Sequence, residues 1–299
     1  MNSYLENLRL EVKEYYNILN KGGIPEFLVP YIETKEMQKL EGISVSCGTI
    51  YSKIFDYKWY STLEHSIGVA LIIWNFTKDK KQTLSGLFHD IATPVFKHTI
   101  DFMNEDYETQ ESTEELTSKI IGESKEIMSL LTKDGIKLEE VVDYHIYPIA
   151  DNDTPMLSSD RLEYTLSNGL GATAKLWDLK EVKEIYEDIE VQKNEKGIEE
   201  LGFKTKEIAE KFVHNMSKLS SMYIQNKVKI SMQFLADTIK KMLNRKLITE
   251  ENLYTLTEKE MIEKIENCKY DNISKCFDLW KNATGIKESN AEVERKILS

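Results

Sequence analysis

Proline and glycine are scarce, with 5 and 13 residues in a chain of 299. That scarcity excludes an all-β sandwich, which places both residues in its many turns, and it argues against a disordered low-complexity chain. It favours long helices joined by short connections. Cysteine is nearly missing as well. Cys47, Cys268 and Cys276 are an odd number without a CxxC pair, which disfavours a disulfide framework and suits a reducing compartment. The most apolar run, Val69 to Phe76, is far shorter than the roughly 20 residues a membrane-spanning helix needs, so no membrane partner is expected. Met1 to Glu6 show no basic patch followed by an apolar core. No secretory leader is therefore expected, and the expected location is the cytoplasm.

Positive charge is also short. Against 51 Asp and Glu stand 39 Lys and Arg, a formal net charge of -12. So acidic a chain gains little from counterion release, and duplex nucleic acid is not an expected partner. Most of the acid excess reads as solvated helix surface. A small phosphorylated ligand remains open, because a metal and a few local cations invert the field inside one cleft. With 41% hydrophobic and 30% charged residues, the balance is that of a soluble globular protein able to bury a sizeable core.

What is present is mostly helical pattern. Residues 3–20 combine a capping-box pair, Ser3 and Glu6, with Leu8, Val12, Tyr15 and Leu19 at helical spacing. Gly22, Gly23 and Pro25 break the chain, and a short helix is predicted over about Thr34 to Leu40. Ser61 with Glu64 predicts a helix start, running to about Phe76 and placing His65 in its first turns. Further helices are predicted over Thr83 to Asp90, Phe96 to Phe102, Ser112 to Ile121, Leu138 to Tyr144, and Asp160 to Ser167 with a serine cap. Leu179 to Ile189 carry another apolar face. Residues 190–204 lack helical period and read as a loop or small β-hairpin. Two amphipathic helices follow, through Ile208-Phe212-Met216-Leu219 and Leu235-Ile239-Met242, and Thr257 with Glu260 caps a last one. The expected fold is mainly α: a helical bundle over 1–190 and a helical C-terminal subdomain over 191–299, with at most a small β-hairpin.

The histidines are His65, His89, His98, His145 and His214. The first three fall in one 34-residue window beside acids. His89 and Asp90 are contiguous at a predicted helix end, and neighbours on a helix point about 100° apart, so a metal beside that end meets both side chains. His145, near Tyr144 and Tyr147, could edge a pocket, whereas His214 lies on an amphipathic helix and reads as surface or core filler.

Four ordered segments carry a family resemblance: Thr62-Leu63-Glu64-His65-Ser66-Ile67-Gly68-Val69-Ala70, Leu87-Phe88-His89-Asp90-Ile91, Pro94-Val95-Phe96-Lys97-His98, and Ser159-Asp160-Arg161-Leu162-Glu163-Tyr164. Together they resemble the HD phosphohydrolase superfamily, nearest the branch of deoxynucleoside-triphosphate triphosphohydrolases, over about residues 25–170. The resemblance implies an HD-type helical bundle in which His65, His89, Asp90 and Asp160 bind one divalent metal ion. Two imidazoles and two carboxylates suit Mn, Fe, Ni, Mg or Zn and leave positions for water and substrate. It further implies His98 at a phosphate site with Asp101 on the same helical face, Lys97 and Arg161 as cations for a phosphate, and Tyr164 with Asn168 toward a nucleoside. Asp101, His98 or Glu114 would handle the proton.

Three departures from that branch stand out. Thr62 replaces an arginine, and Thr93 and Thr113 stand where histidines are found. Threonine neither donates a proton as an imidazolium does nor holds a phosphate by charge. The expected function is therefore metal-dependent hydrolysis of a phosphoester or phosphoanhydride of a small phosphorylated compound, a nucleotide first among them. The alternative is a nucleotide- or metal-binding sensor with little catalysis. A homo-oligomer is compatible with either.

Overall fold

A computed structural model of the protein describes residues 4–104 and 111–287. Among the described residues the chain runs through α1 (Leu10–Leu19), α2 (Val29–Ile32), α3 (Lys35–Gln38), α4 (Thr62–Thr77), α5 (Lys80–Phe88), α6 (His98–Asn104), α7 (Glu111–Glu123), α8 (Lys125–Asp134) and α9 (Ser159–Gly169). It continues through α10 (Leu179–Glu187), the strands β1 (Ile189–Lys193) and β2 (Glu199–Phe203), and then α11 (Lys206–Tyr223), α12 (Asn226–Asn244), α13 (Glu250–Thr255), α14 (Glu258–Glu266) and α15 (Asp271–Asn282). The strands pair antiparallel with Ile189 opposite Phe203, which is the small hairpin expected between 190 and 204.

The central element is α4. Ser61 Oγ accepts from the Glu64 N–H at 3.0 Å, while the Ser61 N–H donates to Glu64 Oε2 at 2.7 Å, a reciprocal cap worth about 1 kcal/mol. Every residue from Thr62 to Ile73 is buried, as expected of a helix surrounded by protein on all sides. Its partner α5 is capped by Asp79, which accepts from the Lys81 and Gln82 amides. Close approach of the pair depends on Gly86, where a Cβ would lie 2.2 Å from Ile73 Cδ1. Ser158 Oγ caps α9 through the Arg161 amide at 3.2 Å.

Two apolar cores result. The larger joins α1, α4, α5, α9 and α10 through residues such as Leu19, Ile67, Leu87, Leu162 and Ile185. The second packs α12, α14 and α15 through Ile239, Met261 and Phe277 around Val95, Phe96 and Ile100. Val95 is tied in by its amide, which donates to Leu253 O at 2.7 Å. Residues 95–100 therefore belong to a core built mainly by the C-terminal helices, although they lie next to His89 and Asp90 in sequence.

Local pattern and structure part at three places. The helix predicted from residue 3 begins instead at Leu10, after a 3-10 turn over Tyr4–Glu6. Arg9 takes extended backbone, φ -57° and ψ 141°, and turns its guanidinium onto Glu64 Oε1 at 2.8 Å. The helix predicted over Leu138 to Tyr144 is reduced to a 3-10 turn at Leu138–Glu140. Glu140 is drawn to Lys81 at 2.5 Å, and Tyr144 swings beside His89. The helix capped by Thr257 is followed by α15, so it is not the last. The start of α15 carries no side-chain cap hydrogen bond.

Candidate metal centre

His65 sits in the first turns of α4, His89 at the C-terminal cap of α5, and Asp160 at the second residue of α9. These helix ends meet at one point. His65 Nε2 and His89 Nε2 are 3.2 Å apart, and Asp160 Oδ1 lies 3.1 Å from the first and 3.9 Å from the second. One ligand atom from each of the three residues falls within 4.8 Å of both others. Asp90 stands beside this trio, its Oδ2 3.6 Å from His89 Nε2 and 4.0 Å from His65 Nε2. Its carboxylate is also held from behind. Lys97 Nζ donates to Oδ2 at 2.6 Å, and Thr93 Oγ1 donates to Oδ1 at 3.0 Å.

The donor chemistry fits a divalent cation. His89 Nδ1 lies 2.7 Å from Gly86 O, and a carbonyl only accepts, so Nδ1 carries the proton and Nε2 presents its lone pair. His65 Nδ1 hydrogen-bonds the carboxylate of Glu163, which assigns the same tautomer. Two lone pairs and a carboxylate oxygen thus face one another. A positive charge among them, a cation or a proton on His65 Nε2, reconciles that arrangement.

The same demand appears in the protonation of the metal-free protein. Burial alone would lower the His65 pKa, but the carboxylates of Glu163 and Asp160 outweigh it and raise it to about 10. Burial would raise the Asp90 carboxyl, but Lys97 beside it holds it well below the usual carboxylate range. Asp160 is lowered to about 2 because the hydrogen bond from His65 outweighs burial. Lys39 reaches in from the N-terminal segment, donating to Thr93 O at 2.6 Å. Burial lowers its pKa to about 8, partly offset by Asp90.

The remaining candidates surround this centre. Lys97 has a side chain only 11% exposed and extends from a tight turn in which Phe96 (φ 63°) and Lys97 (φ 43°) both adopt left-handed backbone, costing on the order of 1–2 kcal/mol per residue. His98 is exposed at the start of α6. Arg161 donates from Nε to Met156 O at 2.9 Å, pairs with Asp151 Oδ1 at 3.2 Å and hydrogen-bonds Asn152, so it arrives already partnered. Tyr164 is one turn beyond Asp160, its ring 6.5 Å from that of Tyr223. Asn168 is engaged with Tyr164 O and Thr173. Asp101 stands on α6 and Glu114 on α7, but their side chains lie outside the described residues. The His145 ring lies 4.4 Å from that of Tyr144 and tilted 55° to it, and the Tyr144 ring is 5.1 Å from His89; His214 is exposed on α11.

Four residues that support the centre were not singled out for a role in the sequence: Glu163, Tyr15, Tyr60 and Lys39. The available signal was Glu163 itself, three residues after Asp160 and therefore on the same face of α9.

A mainly helical scaffold that brings two imidazoles and a carboxylate to one point, with a second carboxylate alongside, defines a class: a helical domain built to hold a divalent metal. The comparisons with known proteins specify it further. Residues 62–178 match the HD domain family, and HD domains bind a divalent metal. The chain is 30% identical over 151 residues to the uncharacterized protein YdhJ of Bacillus subtilis, covering 50% of this chain and 45% of that one. It is 24% identical over 143 residues to the metal-dependent phosphohydrolase cns2 of Cordyceps militaris, covering 48% and 40%. The chain thus spans less than half the length of the curated relatives it matches. Among solved structures, a hypothetical protein from Aquifex aeolicus superposes with TM-score 0.62 at 19% identity, over 86% of this chain and 71% of that one. A phosphohydrolase from Bacteroides thetaiotaomicron does so with TM-score 0.61 at 14% identity, over 86% and 73%. These likenesses show a shared fold. No helix among the described residues is long and apolar enough to cross a membrane.

Proposed function

We propose that this protein is a metal-dependent phosphohydrolase acting on a small phosphorylated compound, and that the compound is a nucleotide. The observation that carries the reading is the convergence of His65, His89 and Asp160, with Asp90 beside them, inside a segment that matches the HD family. A divalent ion held by these four side chains supplies an acidified water and a Lewis acid for a phosphoryl oxygen. The chain's own residues do the rest. In the metal-free protein Thr93 and Lys97 fix the Asp90 carboxylate and keep it anionic. Lys97, with His98 next to it, faces the phosphoryl group and offsets charge that grows on its oxygens. Arg161 contributes to the same wall through its paired guanidinium. His98, Asp101 on α6 or Glu114 on α7 manages the proton, in place of the imidazoles that Thr93 and Thr113 do not supply. Tyr164 and Asn168, one and two turns beyond Asp160, take the nucleoside end.

The test is turnover of nucleotides and simple phosphate esters by the full chain with Mn, Ni, Co or Mg added. The reading expects metal-dependent release of phosphate, pyrophosphate or triphosphate, abolished by Asp90→Ala. Nucleotide binding without turnover under any metal would make the protein a sensor instead.

A further inference from the structure

The matched HD segment starts at residue 62, but the hydrogen-bond network that orients His65 reaches outside it. Glu163 on α9 has no solvent exposure. Its Oε2 accepts from His65 Nδ1 and, at 3.4 Å, from Ser167 Oγ. Its Oε1 accepts from two phenols, Tyr60 at 2.7 Å and Tyr15 at 3.3 Å. Tyr15 lies on α1, 148 residues away in sequence. The carboxylate can lie against α4 because position 68 is glycine; a Cβ there would stand 2.6 Å from Glu163 Oε1.

Packing alone does not call for these hydroxyls. Tyr15 and Tyr60 are both buried in the larger core, where phenylalanine would fill nearly the same volume, and a buried hydroxyl costs free energy unless it is hydrogen-bonded. Both hydroxyls are directed at the one carboxylate that holds a metal-facing histidine. A fully buried carboxylate needs such donors, and its orientation sets that of the imidazole it binds.

We propose that Tyr15 and Tyr60 are positioning residues of the metal centre: together they fix Glu163, Glu163 fixes His65 with Nε2 toward the cation, and helix α1 thereby sets metal affinity from outside the HD segment. This rests on the metal-site reading above.

The test uses the full chain and Mn²⁺ as probe, with the dissociation constant measured by calorimetry. Glu163→Gln is expected to weaken Mn²⁺ binding about 10- to 100-fold, and the Tyr15→Phe/Tyr60→Phe pair up to about 10-fold. In the Glu163→Gln background the two phenylalanines should add nothing, because they act through that carboxylate. The ¹⁵N shifts of His65 in the Zn²⁺-loaded protein give a second readout, which should move in the phenylalanine variants. Unchanged Mn²⁺ affinity and unchanged His65 shifts in those variants, with Glu163→Gln still weakened, would overturn the role of the tyrosines and leave the metal site standing. Unchanged affinity in His65→Ala would overturn the metal-site reading, and this proposal with it.

Discussion

Lys97 Nζ lies 2.6 Å from Asp90 Oδ2, the carboxylate oxygen that also faces both metal-site imidazoles. The ammonium and the expected cation therefore act on the same atom. The left-handed turn at Phe96 and Lys97 brings them together, and that turn is anchored in the core of the C-terminal helices.

Removing this ammonium should matter most when no metal is bound. Lys97→Met leaves a largely buried carboxylate without compensation, so the metal-free protein should lose about 2–4 kcal/mol at neutral pH. A group whose carboxyl pKa is depressed on folding gives stability above its unfolded value, near 4, and loses it as pH falls below that value. The loss in the variant should accordingly shrink toward pH 3. Bound Mn²⁺ should rescue much of it. Thermal melts with and without Mn²⁺ check this; an equal drop in both would contradict it.

Metal binding should release protons. In the metal-free protein the His65 pKa is raised to about 10, so at pH 7 the imidazole is charged and must give up its Nε2 proton to a cation. About one proton per chain is expected, and affinity should fall as pH drops. Calorimetry at pH 7 in two buffers of different ionisation enthalpy reads the number directly; no release would contradict the site's protonation.

A buried acid in the C-terminal helices makes an opposite pH signature. Glu258, fully buried at the start of α14, has its pKa pushed up to about 8 by burial, against the opposing influence of nearby Ser44 and Tyr51. Its folded value lies above its unfolded one, so its contribution to stability is fully present below about 4.5 and is lost as pH rises toward 8. Glu258→Gln should leave stability nearly unchanged at pH 4.5 and raise it at pH 8 by on the order of a few kcal/mol, seen as a higher melting temperature. Parallel melting curves at both pH values would contradict it.

Gly68→Ala tests the approach of α9 to α4. The added methyl would stand 2.6 Å from Glu163 Oε1 and 2.7 Å from its Cγ. Overpacking of this kind costs about 1–3 kcal/mol, and the displaced carboxylate should also weaken Mn²⁺ binding. Melting and metal titration on one sample check both; a variant equal to wild type in each would contradict the contact.

Much of the fold was legible because its signals are local. The reciprocal pair Ser61 and Glu64 announces α4, and Ser158 and Thr257 announce α9 and α14. The shortened segment after Leu138 was not legible, because Lys81 acting on Glu140 is a contact across 59 positions. Helix α15 carried its apolar stripe, Ile273, Phe277 and Trp280, but no side-chain cap marked its start. At the centre, His89 and Asp90 were visible by contiguity and Asp160 only through the family pattern. Tyr15 could not be seen at all. A tyrosine on an amphipathic helix looks like core until its hydroxyl is found beside a carboxylate 148 residues away.

Anomalous diffraction from crystals grown with Mn²⁺ tests the central claim most directly. The account expects a single strong peak within bonding distance of His65 Nε2, His89 Nε2 and the carboxylates of Asp90 and Asp160, with Lys97 moved off Asp90 Oδ2. A site empty at saturating Mn²⁺, or a peak held by other residues, would contradict it.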